Sequence, residues 1–404
     1  MMRNRQAAMG FIFITIVLDV TGIGIIIPVL PDLIKELIHG TNADAAEWGG
    51  WLLTAYALMQ FIFAPIVGAL SDQYGRRPVL LLSLLGFALD FILLAIAPTI
   101  GWLFIGRIIA GIMGASVTTA AAYISDISNE QNRAQNFGLL GAAFGIGFII
   151  GPVAGGLLGD INLRLPFWVA AGITFLNAAY GYFILPESLS KEHRRPYSWK
   201  NANPVGNILQ FRNLPLVVGM MLCYFLYQTA AHSVHSIWNF YTKEKFEWSK
   251  TLVGISLGVV GILVGLVQGV LTKPINKWLG NEKSLYWGLG MFVIGTALFG
   301  LASEGWMMFI FLIPYCIGGI AGPAFQSIIT IQAPRNRQGA LQGALTGTLS
   351  LANIIGPFIM THVFAYFSQK DTSYYFPGAP FILGSFLFGM SWLVAAMYIR
   401  RNRI

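Results

Sequence analysis

The turn between two long apolar runs reads Gly68-Ala-Leu-Ser-Asp72-Gln-Tyr-Gly75-Arg76-Arg77-Pro78, with the pattern G-x-x-x-D-x-x-G-R-R. A short polar turn between two membrane spans needs glycines for a tight backbone, an acid that pairs across helices, and a basic pair that stays on one side of the bilayer. Because the stretch has all three, it predicts a turn that joins two membrane-spanning helices.

The composition is that of a membrane protein. Apolar residues make up 56% of the 404 residues and charged residues 10%, with a mean hydropathy of +0.66, whereas soluble domains carry roughly 25% charged residues. The net charge of +8 comes from basic residues in loops, so it indicates membrane orientation and not nucleic-acid binding. Cys223 and Cys316 lie inside apolar runs and predict neither a disulfide framework nor a metal site.

Twelve apolar segments are long enough to span a bilayer, for which roughly 20 apolar residues suffice. They lie near 7–30, 48–70, 79–98, 101–125, 136–159, 165–185, 214–240, 250–272, 284–302, 306–330, 339–365 and 377–399. The first segment is too long for the roughly 7–15-residue core of a signal peptide and carries Asp19 in its middle, so we expect it to remain as a helix. The chain is therefore predicted to be an all-α membrane protein.

The distribution of Lys and Arg between the loops predicts the orientation. With both termini inside, the inner loops and termini hold 18 of these residues and the outer loops 6. The outer six are Lys35, Arg164, Lys243, Lys245, Lys250 and Lys370. Since basic residues collect on the cytoplasmic side, both termini are expected in the cytoplasm.

The chain divides near its midpoint. We predict an N-terminal six-helix bundle over 1–185, a polar, basic cytoplasmic linker over 186–213, and a C-terminal six-helix bundle over 214–404. Ile150-Gly151-Pro152 recurs as Ile355-Gly356-Pro357, and Asn132-Arg133 recurs as Asn336-Arg337, at offsets of 205 and 204 residues. Such a repeat implies two pseudo-symmetric halves with a substrate site between them near mid-membrane.

Ionisable residues inside the predicted spans are functional candidates, because each costs roughly 2.5–3.5 kcal/mol at the bilayer centre. Asp19 and Asp90 are carboxylates that could take up a proton on one side and release it on the other; the alternative is a fixed structural pair of Asp and Arg. Arg107 is always charged, so it would act as a counter-charge or gate. Its alternative is a helix-end residue whose head group reaches the interface.

Two histidines in the seventh span, His232 and His235, are three residues apart and share one helical face. Imidazoles titrate near neutral pH and bind metals. A metal site needs more than two ligands, and no third is placed at a fixed spacing, so no metal is predicted. Either these histidines are buried and hydrogen-bonded, or they handle protons or substrate.

Several motifs resemble those of the major facilitator superfamily of transporters. The turn from Gly68 to Pro78 resembles the loop between its second and third helices. The segment Gly147-x-x-x-Gly151-Pro152-x-x-Gly155-Gly156 resembles the antiporter motif of its drug-exporting members, although small residues at this spacing also suit close helix packing. Longer blocks resemble the tetracycline/proton antiporter family: Leu18-Asp19, Gly22-Ile23-Gly24, Pro28-Val29-Leu30-Pro31, Tyr56-Ala57-Leu58-Met59-Gln60, Ala64-Pro65, Ser303-Glu304-Gly305-Trp306, Ile331-Gln332 and Gln338-Gly339-Ala340-Leu341-Gln342-Gly343.

The resemblance implies roles for individual residues. Asp19 and Asp90 match acids needed for coupling, Arg107 matches a helix 4 arginine, and Gln60 and Gln268 match amides of the pocket. A cytoplasmic charge network that acts as a conformational gate would comprise Gly68, Asp72, Gly75, Arg76, Arg77 and Asp126.

The sequence also departs from the family. Phe292 stands where the family has an acid in helix 9, and Val264 where it often has a histidine in helix 8. The family substrate travels as a metal chelate, so these departures leave open whether this chain transports tetracycline itself. The polar and aromatic candidates for substrate binding favour a small amphipathic organic compound such as a drug: Gln60, Gln268, Gln326, Tyr227, Trp238 and Asn353.

We therefore predict a monomeric, proton-driven antiporter of the bacterial inner membrane, without a cofactor, which exchanges a small organic substrate for protons by alternating access. A proton-coupled uptake symporter on the same fold is the alternative. An intramembrane enzyme is the more remote alternative, because H-E-x-x-H is absent from the sequence. A Walker-type glycine loop is also absent, which argues against ATP as the driving force.

Overall fold

The computed structural model describes residues 2–114, 116–128, 133–194, 214–332, 338–369 and 374–401, which are helical apart from short turns. The α-helices are α1 (Met2–Ile26), α2 (Leu30–Ile38), α3 (Asn42–Tyr74), α4 (Arg76–Ile96), α5 (Ile100–Met113), α6 (Ser116–Ile127), α7 (Arg133–Ile161), α8 (Leu165–Ile184), α9 (Pro215–His235), α10 (Trp238–Phe246), α11 (Lys250–Leu266), α12 (Thr272–Leu301), α13 (Gly305–Gly318), α14 (Ala321–Gln332), α15 (Gln338–Ser368) and α16 (Ala379–Arg401).

Each of the twelve predicted spans lies on helical segments. Within the described residues, ten helical stretches are long and apolar enough to cross a membrane. One of them, Lys250–Leu301, is 52 residues long and contains two predicted spans, because Gly280 interrupts the helix with φ 76°. The remaining predicted span, 101–125, is divided between α5 and α6. The all-α membrane fold class is thus confirmed.

Apart from 7–30, whose last residues lie in the turn between α1 and α2, four predicted spans are not the single α-helices that hydropathy suggested. The chain breaks at Gly114 between α5 and α6, and it turns at residues 236–237 between α9 and α10. A third break, at residues 319–320, separates α13 from α14. A π-helix, Val267–Leu271, joins α11 to α12, and there the Thr272 hydroxyl donates to the Val267 carbonyl at 2.9 Å. Glycine weakens the helix at two of these breaks, since it is a poor helix former.

Helix α8 has exposed apolar residues and a buried, hydrogen-bonded polar residue. On α8, the side chains of Leu176 and Phe183 are 68% and 80% exposed. Asn177, on the opposite face of the same helix, is fully buried and hydrogen-bonds to both the hydroxyl and the carbonyl of Thr15 on α1. This is the arrangement that lipid favours, because backbone and side-chain polar groups must be satisfied within the protein.

The chain forms two compact units. The first unit comprises residues 1–39, 55–202 and 249–261, and the second comprises 40–54, 203–248 and 262–404. They differ from the predicted halves by two segments, 40–54 and 249–261. In the second unit, α3 lies so close to α15 that a Cβ on Gly50 would be 1.9 Å from the Thr361 hydroxyl oxygen. Residues 195–213 of the predicted linker, and the repeated Asn132 and Asn336-Arg337, lie outside the described residues.

Two glycines extend the sequence repeat into the backbone. Gly75 precedes α4 with φ 111°, and Gly280 interrupts α12 with φ 76°; these are the glycines with positive φ in the part of the chain that the structure describes. They are 205 residues apart, which matches the offset of the repeated Ile-Gly-Pro. Because only glycine adopts these conformations without strain, each unit has a tight turn at the same point of its repeat.

Each unit has its own packing. In the first unit, α1 lies along α7 and α8, and α4 lies between α5 and α8. In the second unit, α9 packs against α15 and α16, while α12 packs against α13, α14 and α16.

Candidate functional site

A buried ion pair lies within the first unit. Asp90 on α4 is fully buried, and one of its carboxylate oxygens pairs with a terminal guanidinium nitrogen of Arg107 on α5. The other oxygen, Oδ1, has no hydrogen-bond partner among the described residues. A Cβ on Gly106 would be 2.5 Å from this oxygen, so the glycine leaves the space that the carboxylate occupies. A buried carboxylate with one unsatisfied oxygen is able to accept a proton there.

Asp19 belongs to the same region. It lies at a partly buried position of α1, one turn before Gly22, where a Cβ would be 3.2 Å from the ring of Phe91 on α4. Tyr56 on α3 is close enough to Asp19, Asp90 and Arg107 to interact electrostatically with each. The structure therefore brings the two predicted coupling acids and the arginine together around Tyr56, a residue for which the sequence predicts no role.

Gln60 reaches the break in the fourth predicted span. Its amide Nε2 donates to the Gly114 carbonyl at 3.2 Å and lies 3.4 Å from the Tyr56 hydroxyl. Close approach of α3 to α5 makes this possible, because a Cβ on Gly111 would be 2.5 Å from the Tyr56 carbonyl oxygen. Gln60 thus satisfies a carbonyl at the end of a helix, which otherwise lacks a partner. Discontinuous helices of this kind line the ligand sites of many secondary transporters.

Arg76 is the centre of the predicted charge network. Its Nη1 lies 2.5 Å from Asp72 Oδ1 and donates to the Ser71 hydroxyl at 2.6 Å. Its Nε donates to Asp126 Oδ2 at 3.2 Å. The turn after Gly68 therefore joins the end of α3 to the end of α6 through one buried guanidinium. A Cβ on Gly68 itself would meet nothing within 4 Å, so this glycine is not required for packing within the first unit.

Glu187, for which the sequence predicts no role, binds the same turn. Its Oε1 accepts the backbone N–H of Arg76 at 2.8 Å, and its Oε2 accepts that of Arg77 at 3.3 Å. A carboxylate at this place satisfies the free N–H groups of α4 and lies at the positive end of the helix dipole. Glu187 follows α8 directly, so it connects the end of the sixth span to the turn between the second and third. The apolar residues before it, Leu185 and Pro186, do not predict a contact of Glu187 with the start of α4.

Arg77 is directed to the end of α8. Its Nη2 donates to the Tyr182 carbonyl at 2.5 Å, and its guanidinium carbon lies 5.6 Å from the centre of the Tyr182 ring. The side chains of the two arginines therefore have different partners, and Arg76 alone joins Asp72 to Asp126.

The glycines of the antiporter-like motif line a helix contact in the first unit. Gly147, Gly151 and Gly155 recur every four residues on α7 and face α1, where added Cβ atoms would be 2.8, 2.7 and 2.0 Å from the carbonyl oxygens of Val17, Thr21 and Ile25. A Cβ on Gly24 of α1 would in turn be 2.8 Å from the ring of Pro152. These residues let the two helix backbones touch, as small residues do in membranes.

Gly156 faces a different helix. A Cβ on it would be 2.4 Å from the Lys250 carbonyl at the start of α11. Four residues further along α11, a Cβ on Gly254 would be 2.2 Å from the Pro152 carbonyl. Asp160, near the end of α7, accepts hydrogen bonds from the Thr251 N–H at 3.1 Å and the Thr251 hydroxyl at 2.5 Å. The motif therefore holds α7 against both α1 and α11.

The second unit contains a cluster of aromatic side chains on α9, α12 and α16. The ring of Phe292 on α12 stacks on Phe388 of α16, with centroids 4.8 Å apart and planes at 7°. Tyr227 on α9 lies 5.6 Å from Phe292 and 5.8 Å from Phe388. Where the family resemblance implies an acid, this chain thus has a buried ring within an apolar cluster.

Trp238 also lies in the core of the second unit. Its side chain is 2% exposed, and its ring packs at 5.1 Å against Phe299 and at 6.4 Å against Trp248. In this conformation the indole offers no face to a solute, so its role here is packing.

The predicted amides of the second unit differ in their surroundings. Gln268 is exposed and lies in the π-helix, and Gln326 is exposed on α14. Asn353 on α15 is partly buried and binds His232. π-Helical turns occur often at functional sites, and no local pattern of the sequence indicates this one.

His232 has partners on two sides. Its Nε2 lies 3.2 Å from Asn353 Oδ1, and its Nδ1 lies 3.2 Å from the Ser236 hydroxyl. His235 is exposed, and its ring lies 6.0 Å from that of His232 in a perpendicular arrangement. No cluster of three or more His, Cys, Asp or Glu with metal-binding geometry occurs among the described residues.

A cavity in the second unit is too small to be the substrate site. It has a volume of about 10 Å³, room for about one water molecule, and is lined by apolar and aromatic residues with Cys223, among them Tyr227 and Phe325. Binding pockets for organic molecules typically measure about 300–1,000 Å³.

The fold and the buried charges define a class: a multi-pass membrane protein built like a secondary transporter. Residues 12–357 match the model of the Major Facilitator Superfamily. The chain is 42% identical to the class C tetracycline resistance protein of Escherichia coli, over 87% of this chain and 88% of that protein. It is 36% identical to the class H tetracycline resistance protein of Pasteurella multocida, over 97% and 96%. The chain belongs to the major facilitator superfamily and, within it, to the family of the tetracycline resistance proteins.

A solved structure gives the same fold. The human organic anion transporter TETRAN superposes with a TM-score of 0.72, covering 97% of this chain and 99% of that one at 22% sequence identity. At this identity the likeness concerns the fold alone. The resemblance stated from the motifs is thus confirmed at the level of family and fold.

Proposed function

We propose that this protein exports a tetracycline-like drug, or a related small amphipathic compound, in exchange for protons. The observation that carries the proposal is the 42% identity with a tetracycline resistance protein over most of both chains. The ion pair of Asp90 and Arg107, buried in an apolar helix pair, supports it because unneeded charges are rare inside membrane proteins.

In this proposal Asp19 and Asp90 carry the proton. Protonation of Asp90 removes the negative charge that holds Arg107, so proton uptake alters the packing of α4 on α5. Tyr56 and Gln60, which lie beside this pair and at the break after α5, transmit the change to the substrate. Alternating access follows if the conformations that face each side differ in their affinity for proton and drug. The network around Arg76 stabilises one of them, the outward-open state.

The substrate is expected to lie against the exposed and partly buried polar groups, Gln60, Gln268, Gln326 and Asn353, with Tyr227 as an aromatic surface. Phe292 contributes no charge to the second unit. Tetracycline is therefore the first compound to test, and a panel of other amphipathic drugs is the second.

The protein is proposed to lie as a monomer in the bacterial inner membrane with both termini in the cytoplasm, driven by the proton gradient without a cofactor. The excess of 18 over 6 basic residues in the inner loops supports this orientation. Catalysis of a covalent reaction is not part of the proposal.

The test is drug transport in everted membrane vesicles from a host that lacks its own drug pumps. We expect tetracycline to accumulate in energised vesicles, and we expect its addition to release protons from the vesicle lumen. An uncoupler should abolish both effects. Drug movement in the same direction as the proton would instead identify the uptake symporter, and no movement of any drug in the panel would refute the proposal.

Asp19 offers the sharpest test of the coupling role. Asp19→Asn is expected to abolish transport driven by a pH gradient in proteoliposomes, while Asp19→Glu retains part of it, because only the second side chain can still carry a proton. Unchanged proton-driven transport by Asp19→Asn would remove this residue from the coupling mechanism.

A further inference from the structure

We propose that His232, together with Ser236 and Asn353, is a proton-binding site of the second unit. This inference rests on the proposed proton-coupled function and adds to it a second protonatable station, separate in the sequence from Asp19 and Asp90. It is carried by the geometry around one imidazole ring.

The neutral form of the ring is fully hydrogen-bonded. Asn353 Oδ1 only accepts hydrogen bonds, so at 3.2 Å it requires a hydrogen on Nε2 of His232. The other ring nitrogen, Nδ1, is then the acceptor, and the Ser236 hydroxyl at 3.2 Å donates to it.

The protonated form is satisfied by the same two partners. A proton taken up at Nδ1 turns that nitrogen into a donor, and the Ser236 hydroxyl becomes its acceptor by rotating about its C–O bond. Asn353 keeps its role unchanged. The site therefore accommodates both charge states without moving a backbone or losing a hydrogen bond, which a histidine held only by donors or only by acceptors could not do.

The His232 ring also packs closely against the backbone of α15. A Cβ on Gly356 of α15 would be 2.4 Å from Cδ2 of His232, so the repeated Gly-Pro of the second unit leaves room for an imidazole. In the first unit, the corresponding Gly151 faces Gly24 and Thr21 of α1. The same backbone motif thus receives a helix in one unit and a titratable ring in the other.

His235 is the near titratable neighbour, with its ring 6.0 Å from that of His232. Two imidazolium ions at this distance repel each other, so the pair is expected to hold one proton at a time. On α15, His362 lies six residues beyond Gly356 and has its own partners in the Phe358 carbonyl and Glu47.

The other elements that pack against α9 present no charge to the ring. α14 contains no titratable residue. The remaining titratable residues of these elements, and of α9 itself, lie further along the helices: Cys223, Tyr224, Tyr227, Tyr241, Lys243, Glu244, Lys245, Tyr366, Tyr398, Arg400 and Arg401.

A titration that needs no substrate tests the site. The chain has five histidines, few enough to assign in the full-length protein by ring-labelled NMR and single His→Gln variants. We expect the His232 ring to bind one proton as the pH falls from 8 to 4. In the Ser236→Ala variant, the midpoint of the His232 titration should fall by about half a pH unit or more, because the charged ring loses its hydrogen-bond acceptor.

Ser233→Ala is the matched control. Ser233 lies on the same helix, is fully buried, and its hydroxyl has no hydrogen-bond partner among the described residues. This variant should leave the His232 midpoint unchanged. A His232 ring that stays neutral down to pH 4, or equal midpoints in the two alanine variants, would overturn the inference.

Transport separates this inference from the proposed function. In proteoliposomes, His232→Gln should lose much of the pH dependence of tetracycline transport while retaining tetracycline exchange at equal pH. If wild-type protein moves tetracycline with protons and His232→Gln has the same pH profile, the coupling role of His232 is refuted and the function stands. If wild-type protein moves no drug while His232 titrates with Ser236, the function fails and the proton site stands.

Discussion

Gly106 determines whether Asp90 can lie against α5. An added Cβ would be 2.5 Å from Asp90 Oδ1, so Gly106→Ala must shift the carboxylate that pairs with Arg107. Removing one partner of a buried ion pair typically costs about 3–5 kcal/mol, which sets the upper limit for this shift. We expect Gly106→Ala to lower drug resistance at least tenfold and to reduce proton-driven transport in vesicles.

Gly101→Ala controls for the change of glycine to alanine. It lies on the same helix, and its added Cβ would meet only Thr99 Oγ1 at 3.8 Å. This variant should transport like the wild type. Equal activity of the two variants would mean that the position of the Asp90 carboxylate does not matter for coupling.

The sequence identified Asp90 and Arg107 because a charge in an apolar run stands out whatever surrounds it. It did not identify Gly106, nor the contact of Gln60 with the Gly114 carbonyl, since both depend on which helix lies alongside. One glycine among 46 carries no local signal of its neighbour.

At the scale of helices, Glu187 joins α8 to the start of α4. Its carboxylate accepts two backbone N–H groups there, and loss of such a cap costs about 0.5–2 kcal/mol. Glu187→Gln removes the charge that interacts with the helix dipole and should lower the unfolding temperature in detergent and slow transport severalfold.

Glu304→Gln is the matched control for this prediction. Glu304 also precedes a helix, α13, but its side chain makes no capping hydrogen bond. The unfolding temperature of this variant should stay at the wild-type value. A Glu187→Gln protein that unfolds and transports like Glu304→Gln would contradict the capping role.

The glycine face of α7 gives a second prediction at this scale. A Cβ on Gly155 would be 2.0 Å from the Ile25 carbonyl oxygen, and backbone cannot move aside as a side chain can. Overpacking of this kind costs about 1–3 kcal/mol or more. Gly155→Ala should therefore reduce both the amount of folded protein in the membrane and its thermal stability, as measured by fluorescence-detected gel filtration after heating.

Gly145→Ala tests whether the position matters or only the residue type. Gly145 lies on the same helix, is exposed, and has nothing within 4 Å of an added Cβ. It should be tolerated, and alanine there slightly favours the helix. Comparable losses in both variants would argue against direct contact of α7 with α1.

Hydropathy predicted the existence of every span but not the breaks within them. Apolar length is what lipid requires of a segment, and it is the same whether the helix is continuous or interrupted at Gly114 or at Val267–Leu271. Glycine is present at two of the breaks, but most of the 46 glycines interrupt no helix, and the contact of Gln60 with the Gly114 carbonyl depends on a residue 54 positions away.

At the scale of the whole chain, the internal repeat was visible in sequence and recurs in the backbone as Gly75 and Gly280. What the repeat could not predict is how the two units differ in chemistry. The first contains a buried carboxylate and guanidinium, and the second contains stacked rings around Phe292 and a hydrogen-bonded His232. Two units that share a repeated turn thus hold two different sets of side chains.

The orientation of the chain is open to a direct test, because its two cysteines, Cys223 and Cys316, are buried and should not react with a polar reagent. Two exposed serines, Ser190 and Ser303, lie in a predicted inner and a predicted outer loop. With the termini inside, a membrane-impermeant maleimide added to intact cells should label Ser303→Cys but not Ser190→Cys. Both should be labelled after the membrane is permeabilised, and the unsubstituted protein should remain unlabelled throughout. The positive-inside excess of basic residues is the physical reason for this expectation, so the reverse pattern in intact cells would refute the orientation and, with it, the assignment of the Arg76 network to the cytoplasmic side.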